Sequence, residues 1–276
     1  MPSRARCILT DVEKKPVLDN IENESSAVSA GPMLTTLPGE RTNAEGRPVS
    51  NRLLLALPDS EFQALRPLLT FEYLQSHASL QEPGEKLEFV HFINRGLVSI
   101  VVVTKEGKTV EVGVVGSEGL VGTPALVGIM RHPHRAVVQI AGNGFRIRAD
   151  VLRNAVSTSP HLHAMASRYA VIQGMQAGQS AACNRLHGIE QRLARWLLIM
   201  QDRVDNGYLA ITHDFLATML GTDRPSVSLA AALLQRKGMI EYARGAVRIV
   251  NRKQLEETTC ECYQVIQQFN SSIGIR

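Results

Sequence analysis

Arg224, Ser226 and Ser228 stand close together near the start of one predicted helix, where a guanidinium and two hydroxyls can hydrogen-bond to base edges or phosphate oxygens. The segment that must position them runs from Ile211 to Met239 and reads as two short helices hinged at one glycine. In the first, Phe215, Leu216, Met219 and Leu220 recur at helical spacing, and Gly221 supplies the left-handed residue of a sharp turn. Asp223 is then placed to cap the second helix, Pro225 suits a first turn that needs no N–H partner, and Gly238 marks the stop. Periodicity turns Val227, Leu229, Ala230, Leu233 and Leu234 inward and leaves Arg224, Ser226, Ser228 and Gln235 outward.

Two strand-like runs follow around Arg244-Gly245, between Ile240 and Val250, and read as a hairpin, or wing. Arg236, Lys237, Arg244, Arg248, Arg252 and Lys253 cluster there with Glu241 as the one intervening acid. Such a cluster suits a phosphate backbone. A helix-turn-helix, a wing and clustered cations together point to duplex DNA as the partner. The candidate DNA-contacting residues are Thr212, Thr222, Arg224, Pro225, Ser226, Ser228, Leu229, Arg244 and Arg248.

The 276 residues are enough for roughly two domains, and 44% hydrophobic residues can fill their cores. Thirty Lys and Arg against twenty-six Asp and Glu give a net charge of +4, compatible with nucleic acid but too small to identify it. No apolar run approaches the ~20 residues of a membrane span, and the N-terminus lacks the apolar core of a signal peptide. A cytoplasmic location without membrane contact is expected. Cys7, Cys183, Cys260 and Cys262 form neither a disulfide framework nor a paired zinc-binding pattern. Cys260 and Cys262, placed two apart on a helix, would point to different faces; no metal or cofactor is expected.

Along the chain, residues 1–50 mix Ser, Glu, Asn, Pro and Gly without periodicity and read as a flexible tail. Residues 51–150 begin with the apolar run Asn51–Leu57 and a short helix from Glu61 that Pro67 should end or kink, and continue as strands at Phe71–Gln75, Leu87–Ile93, Leu97–Thr104, Thr109–Val115, Val137–Ala141 and Phe145–Arg148. Turn signals separate them at 94–96, 106–107, 116–119 and 142–144. Residues 151–187 read as a long helix whose stripe of Leu162, Met165, Tyr169, Ile172, Gln176, Gln179, Cys183 and Leu186 is expected to pack against a twin. A break at His187-Gly188 opens a C-terminal domain over 188–276. The expected fold class is therefore α+β: an N-terminal β-roll of jelly-roll type, a long dimerisation helix and a C-terminal winged helix-turn-helix.

This order of parts resembles the Crp-Fnr superfamily of bacterial transcription regulators over about Asn51 to Phe269. Its most specific pieces are Asn94-Arg-Gly96-Leu-Val-Ser-Ile, Gly116-Ser-Glu-Gly-Leu-Val-Gly122, Arg192-Leu-Ala-Arg-Trp-Leu-Leu198 and the helix-turn-helix with its wing. The resemblance implies a homodimer on a palindromic promoter site that recruits or blocks RNA polymerase. It also places an effector pocket at Gly122, Thr123, Arg135 and Ala136. Cyclic-AMP-responsive members carry a glutamate for the ribose and an Arg-Ser pair for the phosphate, where this chain has Thr123 and Arg135-Ala136. Losing the ribose acceptor costs about 1 to 3 kcal/mol when its partner is left unsatisfied, so cyclic AMP is not the expected signal. Control by a cyclic nucleotide or another small ligand is the alternative. Pro225 and Leu229 occupy positions where members reading a TGTGA-like half-site have a glutamate and a second arginine, so a different half-site is expected. The N-terminal cysteines of the oxygen-sensing branch have only Cys7 as a counterpart. Outside the regulators, His132-Pro-His134 resembles the His-x-His of cupin-like metalloenzymes, but no carboxylate follows and no further His stands on the next strand. His91, alone on a strand, reads as a packed histidine rather than a haem ligand.

Overall fold

In the computed structural model, which describes residues 37–204, 208–243 and 245–272, two long strands organise the N-terminal half. The strands are β1 (Thr70–Leu74), β2 (Ser79–Gln81), β3 (Phe89–Val103), β4 (Thr109–Val115), β5 (Leu120–Val121) and β6 (His134–Arg148). They form one antiparallel roll in which β3 pairs with both β4 and β6. The turns expected at 94–96 and 142–144 are instead the place where the continuous β3 and β6 bend across one another, with register shifts between Ile93 and Val98. A Cβ on Gly96 would lie 2.6 Å from the Ile140 carbonyl oxygen, and one on Gly142 2.0 Å from that of Arg95. Glycine here serves close backbone approach inside a strand, not chain reversal.

Helices α1 (Arg52–Leu55) and α2 (Asp59–Leu65) precede the roll, and Pro67 lies in the 3-10 turn, Arg66–Leu68, that ends α2. The flexible tail expected over residues 1–50 is corrected for its last part. Asn43 is fully buried and its Nδ2 donates to the Leu69 carbonyl at 3.1 Å, while Arg41 donates to the Leu54 carbonyl at 2.8 Å and pairs with Asp59 at 2.6 Å. This segment is anchored by polar side chains on backbone carbonyls, which hydrophobic periodicity does not register. The remainder of that stretch, Cys7 included, lies outside the described residues.

Helices α3 (Ala149–Thr158) and α4 (Pro160–Leu186) follow, and α5 (Ile189–Gln201) starts after the expected break at His187-Gly188. The stripe assigned to a twin is corrected: Leu162, Met165, Tyr169, Ile172, Gln176 and Cys183 are buried within this one chain. The first four join the core of the roll, Gln176 Nε2 donates to Asn270 Oδ1 at 2.6 Å, and Cys183 meets Cys260. Tyr169 fits over Gly119, where any Cβ would collide with its hydroxyl. Of the predicted stripe, Leu186 is exposed and Gln179 half-buried. The opposite face of α4 stays bare.

The C-terminal part comprises β7 (Tyr208–Ala210), α6 (His213–Met219), α7 (Arg224–Arg236), β8 (Ile240–Ala243), β9 (Ala246–Ile249), α8 (Arg252–Thr258) and α9 (Cys262–Ser272). Its three strands are ordered β7-β9-β8. Trp196, Leu197, Met200, Leu216, Val227 and Leu234 build a core that continues into Leu97, Val101 and Val114 of the roll. The Trp196 indole donates to Glu111 Oε1 on β4 at 2.8 Å, so the two parts are joined by polar as well as apolar contacts. Among the described residues, no helix is long and apolar enough to cross a membrane.

Candidate nucleic-acid interface and effector cavity

Helix α7 begins where Asp223 accepts a hydrogen bond from the Ser226 backbone N–H at 2.8 Å, so the cap read from sequence is in place. These bonds hold the Asp223 carboxyl below its usual pKa. The Ser226 hydroxyl donates to the same carboxylate at 2.9 Å, which makes Ser226 part of the cap. Val227, Ala230, Ala231 and Leu234 are buried beneath the helix, whereas Arg224, Pro225, Leu229, Ala232 and Arg236 form its exposed face. Leu229, which periodicity turned inward, is 73% exposed at the centre of that face. An exposed leucine there can contact thymine methyls, and Arg224 can reach a guanine edge. Arg224 lies 3.5 Å from Asp214, both side chains open to solvent, so the guanidinium is free to exchange that partner.

The remaining predicted contacts divide by partner. Thr212 caps α6, accepting from the Phe215 N–H at 3.2 Å, and Thr222 is half-buried in the turn. The Ser228 hydroxyl is 2.9 Å from His213 Nδ1, and the His213 ring in turn lies 4.2 Å from that of Tyr242 on the wing. A polar-aromatic contact thereby ties α7 to the hairpin. Arg248 faces Glu241 across the hairpin and pairs with it at 2.7 Å. Lys237 pairs with Glu190, and Arg252 with Asp202 and Glu256, so half of the cation cluster is engaged inside the protein. Arg236, on the exposed face of α7, was read as part of the cluster but not as a contact residue. Arg244 lies outside the described residues.

A cavity of 420 Å³ opens between the roll and α4, walled by Ile100, Val112, Thr123, His132, Gln173 and Ala177 among others. Gly122 and Thr123 line it, as the resemblance implied; Arg135 and Ala136 do not. Arg135 is turned to Glu82 at 2.9 Å, and Ala136 is sealed in β6 against Ile100 of β3. Thr123 Oγ1 donates to Gln173 Oε1 at 2.8 Å. His132 Nδ1 accepts from the His134 backbone N–H at 3.1 Å and faces Gln81 Nε2 at 3.1 Å, which puts the ring proton on Nε2. That buried Nε2 finds no acceptor among the described residues. Burial, and then neighbouring His134, hold its pKa below the ordinary histidine value. Gln81, His132 and Gln173 come from three separate elements, and no local pattern joins them in the sequence. No carboxylate converges on His132 and His134 among the described residues, which leaves the cupin-like reading without its ligands. His91 pairs with Glu72 and is buried.

Residues 191–258 match the model of the Crp-like helix-turn-helix domain, and residues 71–159 that of the cyclic nucleotide-binding domain. FixK2 from Bradyrhizobium japonicum is similar in structure, with TM-score 0.61, 17% identity, and 70% of this chain and 98% of that one covered. The c-di-GMP responsive global regulator CLP of Xanthomonas campestris gives TM-score 0.59 and 14% identity, over 70% and 99% of the two chains. A CooA mutant from Carboxydothermus hydrogenoformans gives TM-score 0.53 and 16% identity, over 73% and 96%. No curated protein sequence matches the chain.

Proposed function

The chain belongs to the Crp-Fnr superfamily of transcription regulators, and from that premise we propose that it binds a palindromic promoter site as a homodimer, without cyclic AMP as its signal. The observation that carries the DNA-binding reading is the exposed face of α7, capped by Asp223 and braced through His213 against the wing. Arg224 reads a base, Leu229 supplies apolar contact, and Arg236 meets phosphate. RNA polymerase, recruited or blocked at the same promoter, is the further protein partner.

The homodimer reading moves to the bare face of α4. Ala164, Arg168, Val171, Met175, Gly178, Ala182 and Arg185 are all exposed and alternate at steps of four and three, the spacing of a helix that packs along a twin. A Cβ on Gly174 or Gly178 would meet nothing within 4 Å among the described residues. Glycine inside a helix costs about 1 kcal/mol relative to alanine. The single chain offers no packing reason for it, whereas close approach of a second helix does.

Against cyclic AMP stand the engaged Arg135, the buried Ala136 and the absence of a carboxylate at Thr123. The cavity, walled mostly by apolar side chains, favours a largely apolar small molecule, and its control of DNA binding is the second reading. Sedimentation of wild type and Met175→Glu, paired with footprinting, tests the main one. A wild-type dimer protecting two inverted half-sites, and a folded Met175→Glu monomer that protects neither, is expected. A monomeric wild type at micromolar concentration would refute it.

A further inference from the structure

Three thiols and one imidazole from distant parts of the sequence meet where α4 ends. Cys183 and His187 are four residues apart at the C-terminal end of α4, so they share one face. Cys260 and Cys262 come from the junction between α8 and α9. The expectation that these two point apart placed both on one helix; only Cys262 is helical, and Cys260 lies in the bend before it, which turns both sulfurs the same way. Cys183 Sγ and Cys260 Sγ are 3.5 Å apart, as are Cys262 Sγ and His187 Nδ1, and all four ligand atoms lie within 4.8 Å of one another. Four ligands held tetrahedrally at Zn–S distances near 2.3 Å would be about 3.8 Å apart.

The surroundings also have the form of a metal site. His187 directs Nε2 to the Glu261 carboxylate at 3.3 Å, which fixes the ring with Nδ1 toward the sulfurs. Gln179 Nε2 donates to Cys262 Sγ at 3.0 Å. Arg195, held to Ser180 one turn before Cys183, sets a positive charge beside the group. Three thiolates and a neutral imidazole around a dication leave one net negative charge, and the guanidinium offsets it. Apolar packing of three thiols would require neither the carboxylate on the ring nor the amide on the sulfur.

We infer that Cys183, His187, Cys260 and Cys262 form a structural site for a divalent, thiolate-preferring metal, Zn²⁺ in the first instance. Binding converts three thiols to thiolates and releases three protons to solvent. All four coordination positions are filled by protein, so the site holds structure rather than activating water. It ties the end of α4 to the α8–α9 junction across the His187-Gly188 break, and so fixes the approach of the DNA-binding part to the helix of the proposed dimer.

The test is metal analysis of the full chain purified in reducing buffer without chelator, followed by Co²⁺ titration of the metal-stripped protein. About one zinc per chain is expected, with the thiolate-to-cobalt charge transfer and strong visible bands of a tetrahedral site. Cys183→Ala and Cys262→Ala should abolish the cobalt spectrum. Glu261→Gln, which keeps every ligand, should weaken metal binding about 10- to 100-fold, and Cys7→Ser should leave it unchanged. The inference is overturned if reduced wild type holds no zinc and gives no tetrahedral cobalt spectrum. It is equally overturned if the spectrum survives in Cys183→Ala, or if the stripped protein forms a Cys183–Cys260 disulfide in preference to binding added metal. None of these readouts depends on DNA binding.

Discussion

Arg224, exposed at the start of α7, and Arg248, half-buried on the hairpin, are separated in role by their partners. Arg224 shares a loose 3.5 Å contact with Asp214, so Arg224→Ala should cost about 1 to 3 kcal/mol on the specific site and little on random DNA. Equal losses on both in a filter-binding comparison would remove it from base reading. Arg248 is held by Glu241 through two guanidinium nitrogens, at 2.7 and 3.1 Å, so Glu241→Gln should release it and steepen the salt dependence of binding by roughly one charge. An unchanged slope would place Arg248 away from phosphate. Asp223 was legible as a cap because capping is local; the Arg248–Glu241 and Arg135–Glu82 pairs were not, because they depend on strand register. Glu111 was silent for the same reason. Burial pushes its pKa from 4.5 up to about 7, against the pull of hydrogen bonds from Ser99 and Trp196 and the charges of Arg195 and Arg203. One Ser99 proton cannot serve both Glu111 Oε2 at 2.7 Å and Gln139 Oε1 at 2.6 Å, so a protonated Glu111 that donates to Ser99 completes the chain. The raised pKa means its contribution to stability is full below about pH 4.5 and is lost as pH rises through about 7. Glu111→Gln should flatten that part of the stability profile; an identical slope in wild type and variant would contradict a protonated Glu111.

Helix α4 shows what hydrophobic periodicity can and cannot find. Leu162, Met165, Tyr169 and Ile172 marked a helix and a buried face, but burial alone does not say whether the cover is a twin or the same chain. The roll covers it. The face proposed for a partner carries Ala164, Gly174, Gly178 and Ala182, small residues that give no hydrophobic signal and would let two backbones approach. Ile172→Glu should therefore destabilise the folded chain itself, whereas Val171→Glu should leave a folded monomer. Gly178→Ala gives a signed test: in a lone helix it should stabilise by up to about 1 kcal/mol, and in a close helix pair it should weaken the dimer. Thermal melts with sedimentation distinguish the two. Gly96, Gly142 and Gly144 misled in a related way, since glycine at a strand crossing and glycine at a turn look the same in sequence.

At the scale of the whole molecule, the two parts are joined along β4. Trp196 bonds Glu111, Val114 joins the C-terminal core, and a Cβ on Gly221 of the helix-turn-helix would lie 3.0 Å from Val110. The order of roll, long helix and winged domain was legible because each part has its own period and turn chemistry. The contacts between parts were not, because they join residues far apart in the chain, such as Glu111 with Trp196 and Val110 with Gly221. The same docking places the cavity wall and the reading helix on one connected body, through α4 and α5. Cyclic AMP should nonetheless leave DNA affinity unchanged, and calorimetry should show no selective binding of it over AMP; tight binding required for DNA recognition would reverse that expectation. Homodimeric reading of duplex DNA is testable by selecting bound sequences from a random duplex library at near-physiological salt, with wild type and Arg224→Ala side by side. Two inverted half-sites about 34 Å apart, one DNA turn, bound by two copies of the chain, are expected. Arg224→Ala should relax the same position in each half-site. Enrichment of no motif, or of a single half-site bound by one copy, would contradict homodimeric reading.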